Sequence, residues 1–160
     1  MNGFFDGNKV QSYAELDIWG KTVNPNEITE ILGITPTLSN EVGDIWKLNG
    51  KPHLSASWIF KTEEKPIIED VSERLNDLII IFKEKIDNLN QIRKIYTDCT
   101  MVVNIVVYNN QKILPGFSLT TEQILFLAHI GTGIDFDIYH NPGEYFDVNA
   151  TGDTDGYDFT

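Results

Sequence analysis

Carboxylates and aromatic rings alternate along two short segments of this chain. Tyr13, Glu15, Asp17 and Trp19 take every second position within residues 10–20, and Asp135, Asp137 and Tyr139 do the same within 134–140. Residues two apart on an extended strand share a face. Each segment therefore sets acids and rings on one side, with Ala14, Leu16 and Ile18, or Phe136 and Ile138, on the other. If both apolar sides turn to the same core, the polar sides form one surface, and Trp58 or Trp46 is a candidate to join it. Carboxylates among aromatic faces suit a cationic or sugar-like ligand, through ion pairing and ring stacking. They equally suit the surface of a basic protein. The competing explanation is an ordinary solvated sheet face whose rings pack across strands.

A second candidate lies near the C-terminus. Asp147, Asn149, Thr151, Asp153, Asp155 and Asp158 fall at positions 1, 3, 5, 7, 9 and 12 of a calcium loop, with Gly152 at position 6. Position 12 is Asp where a bidentate Glu is usual, position 5 is Thr, and no exiting helix follows. A disordered acidic terminus explains the same residues. Calcium is the one cofactor the sequence suggests; otherwise none is expected.

Catalytic grammar is thin. His53, His129 and His140 are spread over a hairpin, a helix and a strand end, and His129 is expected to be partly buried. His140 near Asp137 is the nearest approach to an acid–base pair. Ser55 and Ser57 lack the surroundings of a nucleophile elbow, and there is no phosphate loop or dinucleotide fingerprint. Cys99 begins a β-branched run, where thiols are usually inert. An enzyme of unknown reaction stays as an alternative, with the balance against it.

The charge distribution narrows the partners. The 160 residues carry a net charge of −12, and two-thirds of the excess lies after Lys112, where eight acids meet no base. Such a field repels phosphates, so no nucleic-acid role is expected. No apolar run reaches the roughly 18–20 residues of a membrane span. The first residues lack a basic head and apolar stretch, so no signal peptide is read there. One cysteine excludes an internal disulfide and fits a reducing cytoplasm.

The elements that must position these residues are partly boxed in by their own caps. Asn24, Pro25 and Glu27 predict a capped helix start, with Val23 and Ile28 as a hydrophobic staple and Gly33 as the stop. Thr120, Gln123 and Gly131 repeat that grammar, with Leu119 and Ile124 as the staple. Residues 45–48 and 54–61 read as two strands across Asn49-Gly50. Pro66 is expected to open a long helix with an apolar stripe from Ile68 to Ile86, which residues 87–95 continue or follow as a second helix. Residues 99–108, apolar on both faces, read as a central strand, and 113–119 as a further strand whose Pro115 and Gly116 imply an edge or a bulge.

The chain is thus expected to be one α+β domain over residues 1–140, followed by an acidic, Gly/Asp-rich tail over 141–160. Its sheet should be mixed and largely antiparallel, with three helices mainly on one face. The order matches a ferredoxin-like βαββαβ unit followed by a further βαβ.

Residues 24–37, Asn-Pro-Asn-Glu-Ile-Thr-Glu-Ile-Leu-Gly-Ile-Thr-Pro-Thr, with Gly43, Trp58 and the closing Ile134-Asp135-Phe136-Asp137-Ile138-Tyr139, resemble the bacterial domain of unknown function 4279. The resemblance covers roughly residues 10–140. It implies a bacterial, cytoplasmic α/β domain with no catalytic residues to carry over. The charge and the missing catalytic grammar together favour a binding protein that meets a basic protein partner, in the manner of immunity proteins.

Overall fold

The computed structural model describes residues 11–47, 50–66, 70–109 and 116–140, and of His140 the backbone alone. Strand β1 (Gln11–Gly20) runs through the middle of an open sheet. It pairs antiparallel with β3 (Ala56–Lys61) on one side and β5 (Thr100–Asn109) on the other. Short β2 (Leu38–Asn40) extends the β3 side antiparallel, and two-residue β4 (Lys65–Pro66) pairs with the start of β1. Strand β6 (Gly133–His140) closes the far edge, parallel to β5. The result is a six-stranded, mixed but mostly antiparallel sheet in the order β2-β3-β1-β5-β6.

Helix α1 (Pro25–Leu32) crosses from β1 to β2. Helices α2 (Glu73–Phe82) and α3 (Ile86–Ile95) are joined by a single 3-10 turn at Lys83–Lys85 and together form the second helical segment. Helix α4 (Thr121–Ile130) makes the parallel crossover from β5 to β6. All three segments feed one core. Ala14, Leu16 and Ile18 of β1 and Val103, Ile105 and Val107 of β5 meet Ile28 and Leu32 of α1, Leu75, Leu78 and Phe82 of α2, and Leu89 and Ile92 of α3 there. Register confirms the shared side, since Ala14 lies opposite Ile105 and Leu16 opposite Val103. The odd-numbered residues of β1 therefore face away from the helices.

Caps behave largely as their residue types dictate. Asn24 Oδ1 accepts from the N–H groups of Asn26 (3.0 Å) and Glu27 (3.4 Å), and Gly33 takes φ 64° to end α1. The box at α1 is only half built, because Glu27 accepts a hydrogen bond from the Tyr96 hydroxyl, which ties α1 to the end of α3. At α4 it is complete: Thr120 Oγ1 accepts from Gln123 N–H and Gln123 Oε1 from Thr120 N–H. The expected staple there fails, since Ile124 is half exposed.

Four strand and helix expectations need correction. Of residues 45–48, position 48 lies outside the described residues and 45–47 form no sheet strand; Ile45 makes one isolated bridge to Pro52, with Trp46 N–H donating to Lys51 O and His53 N–H to Asp44 O, both at 2.8 Å, and the strand beside β3 is Leu38–Asn40. The second strand starts at Ala56, not at 54. Pro66 ends a strand pairing with β1, and the helix begins at Glu73. Of residues 113–119, positions 113–115 lie outside the described residues, and Gly116 makes one isolated bridge to Asp70.

Candidate functional site

Pairing across the sheet gathers the alternating acids and rings on the side the helices leave open. Glu15 sits between Lys61 of β3 and Asn104 of β5, and Asn104 is opposite Asp135 of β6. Tyr13 shares a row with Val106 and Asp137, and Tyr139 shares one with Tyr108. Asp17 lies between Ile59 and Val102, and Trp19 between Ser57 and Thr100. Of the expected surface residues, Tyr13, Glu15, Asp17, Trp19, Asp135, Asp137 and Tyr139 are thus brought to one face.

Their environments differ sharply. Asn104 Nδ2 donates to Asp17 Oδ2 at 2.9 Å and, more weakly, to Glu15 Oε1 at 3.4 Å. Asp17 Oδ1 is shut off from solvent with no hydrogen-bond donor. Desolvation, then the neighbouring Glu15 charge, push the Asp17 carboxyl up to about 7, and the Asn104 bond only partly opposes this. Glu15 is raised as well, again chiefly by burial, with Asp137 adding repulsion against the Asn104 bond and Lys61. Lys61 Nζ lies 3.7 Å above the Tyr13 ring and pairs with Glu64 at 2.5 Å. Tyr13 is buried, and its phenol is held well above its ordinary range by desolvation and by Tyr108 and Glu15. Tyr108 stacks on Tyr139 with centroids 5.3 Å apart. Asp135, Asp137 and Tyr139 remain open to solvent.

Trp58 does not belong to this face. It points among the helices, fully buried, with its indole N–H donating to Thr29 Oγ1 at 3.0 Å and its ring edge-on to Phe82. Ile59, its neighbour, takes the open side instead. Trp46 does join: an arm of residues 41–47 and 50–55 stands beside β1, β3 and β2 and borders an open-sided hollow of about 900 Å³. Asp17 and Trp19 contribute from β1, Leu38 and Asn40 from β2, and Trp46 and His53 from the arm. The Trp46 and His53 rings lie 5.6 Å apart. Exposed Trp19, Leu38, Ile45 and Trp46 make this the most apolar part of the open face.

Other candidates fare less well. Among the described residues no group of three or more His, Cys, Asp or Glu is arranged to hold a metal ion. The loop of Asp147, Asn149, Thr151, Asp153, Asp155 and Asp158 lies outside the described residues, as does the side chain of His140. His129, expected to be partly buried, is exposed, and its carbonyl accepts from Asn90. Burial raises the Cys99 thiol, with Asp98 adding to this and Arg93 opposing it, so it is no poised nucleophile. Among the described residues no helix is long and apolar enough to cross a membrane.

Asn104 was not singled out from the sequence, although a lone amide inside the apolar run 101–107 is a usable signal: a buried amide needs partners. The sheet and its helical backing form an α/β domain of the kind the family motifs imply. No curated protein and no solved structure matches the chain. The model described as "Domain of unknown function (DUF4279)" matches residues 9–141, a span that takes in every described residue, and the chain belongs to that family.

Proposed function

We propose that this chain is a cytoplasmic, non-catalytic binding protein of the immunity-protein kind, meeting a basic protein partner through its open sheet face. One observation carries the reading. Glu15, Asp17, Asp135 and Asp137 occupy adjoining rows of that face, and the cation that register brings among them, Lys61, is already engaged by Glu64 and the Tyr13 ring. Uncompensated charge on a sheet surface steers and orients a partner of opposite sign. The order β2-β3-β1-β5, antiparallel throughout, supports reading these strands as a ferredoxin-like unit that α4 and β6 extend.

The immobilised chain, offered its native host's lysate, should retain a basic protein at low salt and release it at high salt. Asp135→Asn with Asp137→Asn should abolish that retention. Glu84→Gln with Glu122→Gln, equal in charge but on the helical side, should leave it intact. Equal loss in both variants, or no salt-sensitive retention at all, defeats the proposal.

A further inference from the structure

The hollow beneath the arm has features that a protein-docking face does not need. Its volume of about 900 Å³ falls within the roughly 300–1,000 Å³ of small-molecule sites. Two indole rings, Trp19 and Trp46, stand 44% and 47% exposed around it, where a soluble protein ordinarily covers such surface. Part of its polar lining is already hydrogen-bonded within the protein. Asn40 accepts from Ser57 and donates to Ser55 O, and Asp44 accepts from Glu41 N–H. Asp17 is different: it lines the hollow, yet one of its oxygens has no donor.

We infer that this hollow binds a small organic ammonium ion, its charged head directed to Asp17 and its body against the rings of Trp19 and Trp46. The chemistry follows from the three groups together. The Asp17 carboxylate at the edge of the hollow offers a cation a partner of opposite charge. Indole faces attract the same cation and cover its alkyl surface. A sugar also stacks on indole, but it does not neutralise a carboxylate crowded by Glu15 and Asp137. Lys47 on the arm lines the hollow too, so the site is fitted to a single cationic head and not to a polycation.

The test uses indole fluorescence of the full chain, in which Trp58, sealed in the core, contributes a background that an added ligand does not touch. Choline, n-butylammonium and tetramethylammonium are titrated beside the neutral choline isostere 3,3-dimethylbutan-1-ol, and beside glucose. At least one of the three cations should give a saturable change in the millimolar range, whereas the isostere and glucose should not. Asp17→Asn should weaken that binding about tenfold or more, and Trp46→Ala about threefold to thirtyfold. Trp46 is exposed on the arm, so its variant tests the site even if Asp17→Asn perturbs folding. Asp137→Asn should leave cation affinity within about threefold while removing part of the partner face, which separates this site from the docking proposal. Three outcomes overturn the inference: equal response to the neutral isostere, saturation by glucose alone, or no saturation by any of the cations up to about 50 mM.

Discussion

Asp17 is where the chemistry of single residues is most exposed to measurement. An aspartate ordinarily near 3.9, pushed up to about 7 by desolvation and by Glu15, keeps its proton in the folded chain after the unfolded chain has lost it. Its contribution therefore favours folding most at about pH 4 and below. It declines as pH rises towards 7 and is flat beyond. The whole displacement corresponds to about 4 kcal/mol at most, and because water reaches part of the carboxylate, screening reduces the expected effect to about 1–2 kcal/mol. Asp17→Asn retains an oxygen for Asn104 to donate to. The variant should melt above the parent at pH 8 and together with it near pH 4, by circular dichroism across that range. A variant that melts lower at pH 8 would mean that the ionised carboxylate has a partner after all. The alternation that placed Asp17 on the open face was legible because β1 is polar on one parity and apolar on the other. Strand β3 carried the same guide: Ala56, Trp58 and Phe60 turn inward while Ser57, Ile59 and Lys61 turn outward, so alternation sends Trp58 to the core, with Ile59 the one apolar residue on the outward parity.

At the scale of elements, the legible ones carry their own boundary chemistry. Helix α4 was readable from Thr120, Gln123 and Gly131 because each satisfies or ends the backbone locally, whatever the tertiary setting. Removing the cap with Thr120→Ala should cost about 1 kcal/mol. Gly131→Ala should cost more, about 2 kcal/mol. Its φ of 61° strains any L side chain, and the added methyl meets the Arg93 guanidinium that donates to Ile130 O and Gly131 O. Chemical denaturation of the two variants checks that order. If Gly131→Ala proves the milder, the Arg93 bridge between α3 and α4 carries little. Strand β2 shows the opposite case. Leu38, Ser39 and Asn40 carry no alternation, since Leu38 and Ser39 are both exposed, and the segment is a strand only because β3 offers it an edge. Pro66 misled for a related reason. Proline suits a first helical turn and a strand edge equally well, and pairing with Gln11 decided for the edge.

For the molecule as a whole, the decisive asymmetry is between a helical side that closes the core and an open side that concentrates like charge. The Glu15 and Asp137 charges raise the cost of ionising Asp17, the Asp137 charge raises that of Glu15, and the chain as a whole carries −12. Net repulsion of this kind is relieved by salt. Among the described residues the ion pairs that salt weakens in return are few and partly solvated: Lys65–Asp77 at 2.9 Å, Arg74–Asp77 at 3.2 Å, Arg74–Glu73 at 3.6 Å and Lys61–Glu64. Each such pair is worth at most about 1 kcal/mol. Repulsion should therefore win, and raising sodium chloride from about 20 mM to 500 mM should lift the melting temperature by about 2–4 °C, as expected for roughly 1 kcal/mol in a chain of this size. Asp135→Asn with Asp137→Asn should raise the low-salt melting temperature and flatten the salt dependence, because those two charges add to the repulsion without belonging to any ion pair described above. A melting temperature that falls with salt would instead make the helical-side ion pairs the dominant electrostatic feature. The open face would then lose the stored repulsion that a cationic partner or ligand is proposed to relieve.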